Sequence, residues 1–373
     1  MLILITLAIW YDIIPTYSTF ITVTGEGSLS VTGDPQYARY IYDDLAERFE
    51  TRLVDTLEYR GPWILKEMLM SHVSSSHDPS SVSINVGSEY RPSSSMPIWR
   101  ALDLGCGSGL CGKVFGDMIF PGHSPLHPRT SPILDRGDWM DSVERVLVEE
   151  QEEPLLIGVD VSERIAELAV ATGRYTCVIV TDLKSVLSYM TDVLHRNRRE
   201  SHAIETLPAA RLSSASPPNL VIAADTFIYV GALGSVFALL SRVLPVGGYF
   251  LFTVEALEGS PMLPSETADL CPPPPGKEQE GEDATHATIR VGAGTVEESN
   301  YDVEIEGAVP GWGARLLSSA RFAHSDRYIR ELCDRHKFSV VVYRGIMLRV
   351  EGTVPLPGHA YVLQLTSSPC LPP

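Results

Sequence analysis

The stretch Ile98-Trp-Arg-Ala-Leu-Asp-Leu-Gly-Cys-Gly-Ser-Gly-Leu-Cys-Gly112 is an apolar run that ends on Asp103 and then breaks into glycines at 105, 107, 109 and 112. It reads as strand, tight turn and helix. Such a turn needs positive φ, and a ligand must approach its backbone more closely than a Cβ would permit; glycine meets both demands. The stretch is therefore expected to form the nucleotide cradle of an α/β sheet.

Two ligands compete for such a cradle. Gly107-Ser-Gly109-Leu-Cys-Gly112 meets the G-x-G-x-x-G spacing of a dinucleotide-binding turn. Asp103, two residues before the first glycine, weighs the other way, because a carboxylate repels a pyrophosphate and suits a cationic amino acid moiety. S-adenosylmethionine (SAM) has that moiety and no phosphate. LDLGCGSG resembles motif I of the class I SAM-dependent methyltransferases. The resemblance implies a Rossmann-like, mostly parallel sheet with an antiparallel last strand and helices on both faces. It also implies SAM as cofactor, with Asp103, Gly105, Gly107 and Gly109 among the residues that bind it.

The chain has 373 residues, 44% of them hydrophobic, enough to bury a full core. It reads as an N-terminal extension over 1–34 and one catalytic domain over 35–373, with insertions near 74–97, 121–153, 196–218 and 258–295. The formal net charge of −18 opposes a polyanionic partner, so a small-molecule substrate is expected and a nucleic acid is not. Six cysteines without a C-x-x-C pair suit reduced thiols and a cytoplasmic location. The apolar start, Met1 to Ile14, is too short for a membrane span, has no basic leader and is interrupted by Asp12. It is expected to pack as a strand or extension, without membrane association.

Before the glycine turn, Thr19 to Val31 alternates as a hairpin does. Tyr37, Ile41, Leu45, Phe49, Leu53 and Leu57 then recur every four residues, the period of an amphipathic helix. A second helix is expected after Gly61-Pro62, where proline is tolerated in the first turn. Helices ahead of motif I commonly cover the pockets in this fold, so Tyr40, Phe49 and Tyr59 are read as pocket walls or as core. Between the motif I helix and residue 154 lie HSPLHPRTSP and VERVLVEEQEE, read as a looped-out insertion with a short acidic helix. His123 and His127, four apart amid prolines, read as exposed loop residues and not metal ligands.

Leu155-Leu-Ile-Gly-Val-Asp160 is a second buried strand closed by an acid, with Ser162 as the cap of the next helix. Asp160 suits a bidentate, charge-assisted clamp on a ribose, although capping of the next turn is the competing role. Its distance from the glycine turn, usually about twenty residues, is stretched to 55 between Gly105 and Asp160, as the insertion would explain. Cys177-Val-Ile-Val-Thr-Asp182 is a third strand. Val-Thr-Asp182-Leu183 resembles the superfamily motif that contacts adenine. Asn219 to Gly231 is a fourth strand and its loop, with Asp225 expected to face the methyl group. Tyr249 to Glu255 is the fifth. After an acidic, proline-rich segment, Ser325 to His336 is amphipathic, and Phe338 to Val350 and Ala360 to Leu365 read as strands.

The chain also resembles a narrower group, the predicted methyltransferases associated with tetratricopeptide repeats. Tyr40 to Leu65, Ala223 to Leu233 and Ala320 to Leu365 carry that match, with departures at Ala232 and Phe322, where the group has Asp and Tyr. No repeat of about 34 residues is visible, so a tetratricopeptide-repeat protein is expected as a separate partner if at all.

The function implied is methyl transfer to a hydroxyl or carboxylate of a small molecule. The Asp225-Thr-Phe-Ile-Tyr229 loop lacks the Asn/Asp-Pro-Pro-Tyr pattern that grips a planar amino group. A hydroxyl acceptor would need a base, for which His324 in Arg321-Phe-Ala-His-Ser is the candidate. Asp225 would orient that base or hold the substrate, and Tyr229 would wall the pocket or donate a hydrogen bond. The rival class is a methyltransferase-like SAM-binding protein that serves as an assembly factor without turnover.

Overall fold

Strand β1 (Arg100–Leu104) is buried along its whole length, and its alternation sends Leu102 and Leu104 to one face and Ala101 to the other. In this computed structural model the described residues are 38–39, 42–43, 54, 57–76, 97–122, 133–134, 139–148, 153–203, 216–257, 313–317, 319 and 321–368. Around β1 stand β2 (Ile133–Leu134), β3 (Leu155–Asp160), β4 (Cys177–Val180), β5 (Leu220–Ala223) and β6 (Tyr249–Ala256). Two short strands, β7 (Ala314–Leu316) and β8 (Phe322–His324), precede the long pair β9 (Phe338–Glu351) and β10 (Val354–Leu365).

The sheet order is β2-β4-β3-β1-β5-β6-β10-β9. From β2 to β6 every pairing is parallel, and β10 lies antiparallel to both β6 and β9. The fold is Rossmann-like. The order reverses at β1, so the crevice at the carboxyl ends of β1 and β5 is where such a sheet binds its ligand. Beyond the end of β5, β8 pairs with β6 through Glu255↔Ala323 and Ala256↔His324 and widens the sheet at that edge.

Two cores form because both faces are covered, as a parallel sheet requires. Helices α1 (Gly61–Ser76), α2 (Leu110–Ile119) and α4 (Glu163–Ala171) bury Leu65, Met68, Phe115 and Ala169 on one side. Helices α3 (Trp139–Val148), α5 (Leu183–Ala203), α6 (Gly234–Val243) and α7 (Asp326–His336) bury Trp139, Met190, Phe237 and Ile329 on the other. Among the described residues no helix is long and apolar enough to cross a membrane.

Three readings of the sequence change. The segment 121–153 is not wholly looped out: β2 pairs with β4 at the sheet edge, and α3 buries Trp139, Val143, Val146 and Leu147. Those four residues have helical spacing, and the run of acids beside them masks it. Residues from 196 to 203 continue α5 and are not part of a loop. Strands β7 and β8 were not expected. The extension over 1–34, Tyr40, Phe49, His123, His127 and the segment 258–295 lie outside the described residues.

Candidate active site

Five acids reach one edge of the sheet: Asp103 on β1, Asp160 ending β3, Asp182 just beyond β4, Asp225 just beyond β5 and Glu255 near the end of β6. The glycine turn lies between the first two. Gly105, Gly107 and Gly109 have φ of 70, 53 and 84°, the left-handed conformation that the spacing predicts. A Cβ on Gly105 would lie 2.6 Å from the Thr226 hydroxyl, which itself donates to the carbonyl of Leu104. The β5 loop is thus pressed against the turn.

Asp103 is fully buried, and burial raises its pKa to about 7 against the hydrogen bond from Tyr175 and the neighbouring Cys111 thiol. The Tyr175 hydroxyl donates to Oδ2 of Asp103 at 2.7 Å and accepts from the backbone N–H of Gly112 at 3.0 Å. A Cβ on Gly112 would come within 2.5 Å of the Tyr175 ring, and one on Gly158, opposite Asp103 in the strand pairing, within 3.0 Å. Both glycines make room for that tyrosine. Oδ1 of Asp103 and the hydroxyl of Ser108, both beside the turn, have no hydrogen-bond partner among the described residues. A buried carboxylate oxygen left over in a glycine cradle fits an ammonium group better than it fits solvent or a phosphate.

Asp160 joins the turn to the next helix. Its Oδ2 accepts from Gly107 N at 3.0 Å and its Oδ1 from Ser162 N at 2.9 Å, so the capping role exists in the structure. Burial raises its pKa against these backbone donors. With the Val161 N–H as a third backbone donor, one of the roughly four acceptor sites of the carboxylate is left for a ribose hydroxyl. Asp182 is the cap of α5, accepting from the N–H of Lys184 and Ser185 through Oδ1, and Leu183 begins that helix half-buried. Asp43, ahead of α1, meets this region: the Ser162 hydroxyl donates to its Oδ1 at 2.6 Å, and Arg164 donates to its carbonyl.

On the other side of the turn Asp225 has φ of 58°, a conformation uncommon for a residue with a Cβ and frequent at functional sites. Its N–H donates to Thr253 Oγ1 at 2.9 Å, and its Oδ1 accepts from Arg349 at 3.2 Å. Burial raises the Asp225 pKa, and the Arg349 and Arg321 cations oppose that. Arg349, buried on β9, also donates to Glu255 and Glu351, and Arg321 pairs with Glu351. Tyr229 stands edge-on to Tyr42 with ring centroids 5.5 Å apart, and Tyr59 is buried close enough to Asp225 to feel its charge. Of this group the sequence reading singled out Asp225, Tyr229 and Tyr59. Arg349 and Arg321 lay in a stretch matched to the narrower group, and Glu255 closed the fifth expected strand, without any of them being assigned a role.

Solved structures of methyltransferases resemble this chain. Magnesium protoporphyrin IX methyltransferase from Synechocystis PCC 6803, with SAH bound, has TM-score 0.40 and 10% identity over 89% of this chain and 100% of its own. A SAM-dependent methyltransferase from Clostridium acetobutylicum has TM-score 0.40 and 11% identity over 88% and 100%. The 1,6-didemethyltoxoflavin-N1-methyltransferase of Burkholderia thailandensis has 0.37 and 13% over 90% and 91%. Likenesses this distant carry no argument about substrate or chemistry here. No family model and no curated protein matches the chain.

His324 is not placed to be the base. It is fully buried on β8, and its Nε2 lies 3.0 Å from the carbonyls of both Val230 and Gly231, so that nitrogen carries the proton and donates. Its Nδ1 has no partner among the described residues, and burial lowers its pKa to about 4. It pins the end of the Asp225 loop as a neutral ring. Because the folded pKa lies below the unfolded value of about 6.5, its contribution is present above pH 6.5 and is lost as pH falls towards 4. The loss is on the order of 3 kcal/mol. Urea unfolding between pH 7 and pH 4.5 should show a steeper fall for the wild type than for His324→Gln. Parallel falls would remove His324 as the cause.

Proposed function

We propose that the protein is a methyltransferase that draws on SAM and methylates a hydroxyl or carboxylate of a small molecule. The observation that carries the reading is the orphaned Oδ1 of buried Asp103 inside a left-handed glycine turn at the switch point of the sheet. When bound, SAM supplies a methyl group on an already activated sulfonium. The chain's own residues then have two tasks, to hold and align the reactants and to exclude water. Asp103 would meet the ammonium, the N–H groups of the glycine turn the carboxylate, Asp160 the ribose, and Asp182 with Leu183 the adenine edge.

On the acceptor side stand Asp225 and Tyr229. With His324 fully buried and its pKa lowered to about 4, removal of a proton from a hydroxyl falls to Asp225, whose burial raises its pKa. A carboxylate acceptor is ionised already and needs no base.

The Asp103 assignment has a pH signature. Its charged form is the one that holds an ammonium, so SAM affinity should fall roughly tenfold between pH 7 and pH 5.5, as Asp103 protonates from a pKa of about 7. Calorimetry should find a shallower fall in Asp103→Asn. Equal affinity of the wild type at the two pH values would contradict the assignment.

The acceptor class is tested by incubating the protein and methyl-labelled SAM with a metabolite extract. Label is expected in a low-molecular-weight product separated from SAM, lost in mild alkali if an ester has formed and retained if an ether has. Label on macromolecules would contradict the small-molecule reading, and SAM binding without any label would favour the assembly-factor class.

A further inference from the structure

The guanidinium of Arg349 distributes its three nitrogens over three carboxylates from three parts of the chain. Nη1 donates to Asp225 Oδ1 at 3.2 Å, Nη2 to Glu255 Oε2 at 2.5 Å and Nε to Glu351 Oε1 at 2.9 Å. Its side chain is 1% exposed, against 13% for Asp225, 7% for Glu255 and 32% for Glu351. A surface ion pair would not be built this way. A planar fork is suited to fixing the direction of several carboxylates at once, where an ammonium acts as a point charge.

The three acids meet because of the topology. Asp225 follows β5, Glu255 is on β6, and Glu351 ends β9, which runs parallel to β6 because both are antiparallel to β10. The carboxyl ends of these strands therefore share one edge with the glycine turn. Asp225 is also the member whose backbone is in a left-handed conformation, held by Thr253 Oγ1 on β6, while the next residue, Thr226, packs against Gly105. A strained residue persists where its surroundings over-determine it.

We propose that Arg349 is a positioning residue of the acceptor site: by gripping Asp225 Oδ1 together with Glu255 and Glu351, it fixes the direction of the Asp225 carboxylate beside the glycine turn. This deepens the methyltransferase reading and rests on it. With Oδ1 committed to Arg349, Oδ2 is the oxygen that meets an acceptor. The cation also favours the charged form of Asp225 against burial, as Arg321 does, while Glu351 and Glu255 oppose it. The tyrosines Tyr42, Tyr59 and Tyr229 complete the titratable groups around it.

The test follows the Asp225 carboxyl carbon by ¹³C NMR during a pH titration, assigned by its loss in Asp225→Asn, with SAM affinity measured in parallel by calorimetry. In Arg349→Met the midpoint should move to higher pH, since a cation has gone and Glu255 has lost its ion-pair partner, while Glu351 keeps Arg321. In Arg349→Lys it should return part of the way, because the charge is restored and the fork is not. Glu351→Gln keeps Arg349 and removes one competing acid, so the midpoint should move to lower pH. That variant decides the matter if Arg349→Met does not fold. A midpoint unchanged in the folded Arg349 variants, or in Glu351→Gln if neither folds, would overturn the proposal. Failure of the wild type to bind SAM would instead overturn the methyltransferase reading, so the two failures are distinguishable.

Discussion

Asp160→Ala is expected to weaken SAM binding by about ten- to a hundredfold, the value of one charge-assisted hydrogen bond of roughly 1.5 to 3 kcal/mol. The carboxylate already accepts backbone N–H groups on both oxygens, from Gly107 and Ser162, and these hold it in a fixed orientation for a ribose. The variant loses that clamp and also unties the glycine turn from α4. Asp160→Asn keeps one carbonyl oxygen as acceptor and should fall between the two. Affinity would be read by calorimetry, with thermal unfolding as the check that the variant is folded. Unchanged affinity in a folded Asp160→Ala would leave Asp160 with the capping role alone.

Arg349→Met is expected to destabilise the protein by about 3 to 5 kcal/mol, because removing one partner of a buried ion cluster leaves the others uncompensated. Here three carboxylates would lose their shared cation, and two of them, Asp225 and Glu255, are themselves nearly buried. Protonation of one or more of the stranded acids would recover part of the loss, so the deficit should shrink as pH is lowered. Urea unfolding at pH 7.5 and pH 5.5 checks both statements. A wild-type midpoint at pH 7.5 would mean that the cluster contributes nothing net to the fold.

What could be read from the sequence was local. LDLGCGSG specifies its turn through glycines within a few residues of one another, and each buried strand is a short apolar run closed by an acid. The left-handed φ values at Gly105, Gly107 and Gly109 and the run β1, β3, β4, β5, β6 follow from those patterns. Contacts that depend on register could not be read. Tyr175 reaches Asp103 from 72 positions away, and the only local trace of it is the pair of glycines, 112 and 158, that leave it room. Arg349 meets Asp225 across 124 positions, through three strand pairings that nothing near either residue announces.

His324 fails as a base for a related reason. Its residue type suits proton transfer, but burial decides its pKa, and burial arises from β8 filling the sheet edge beyond the end of β5. The acidic helix α3 misled in the opposite direction. Its charges suggested a solvated insertion, while Trp139, Val143, Val146 and Leu147 were already spaced to bury one face.

The central claim is that the glycine turn with Asp103 holds SAM and not a dinucleotide. Titration calorimetry of the intact chain with SAM and, separately, with NADH at pH 7 tests it most directly. The account predicts one SAM per chain, with affinity reduced in Asp103→Asn, and no heat of binding from NADH. Binding of NADH without binding of SAM would contradict it.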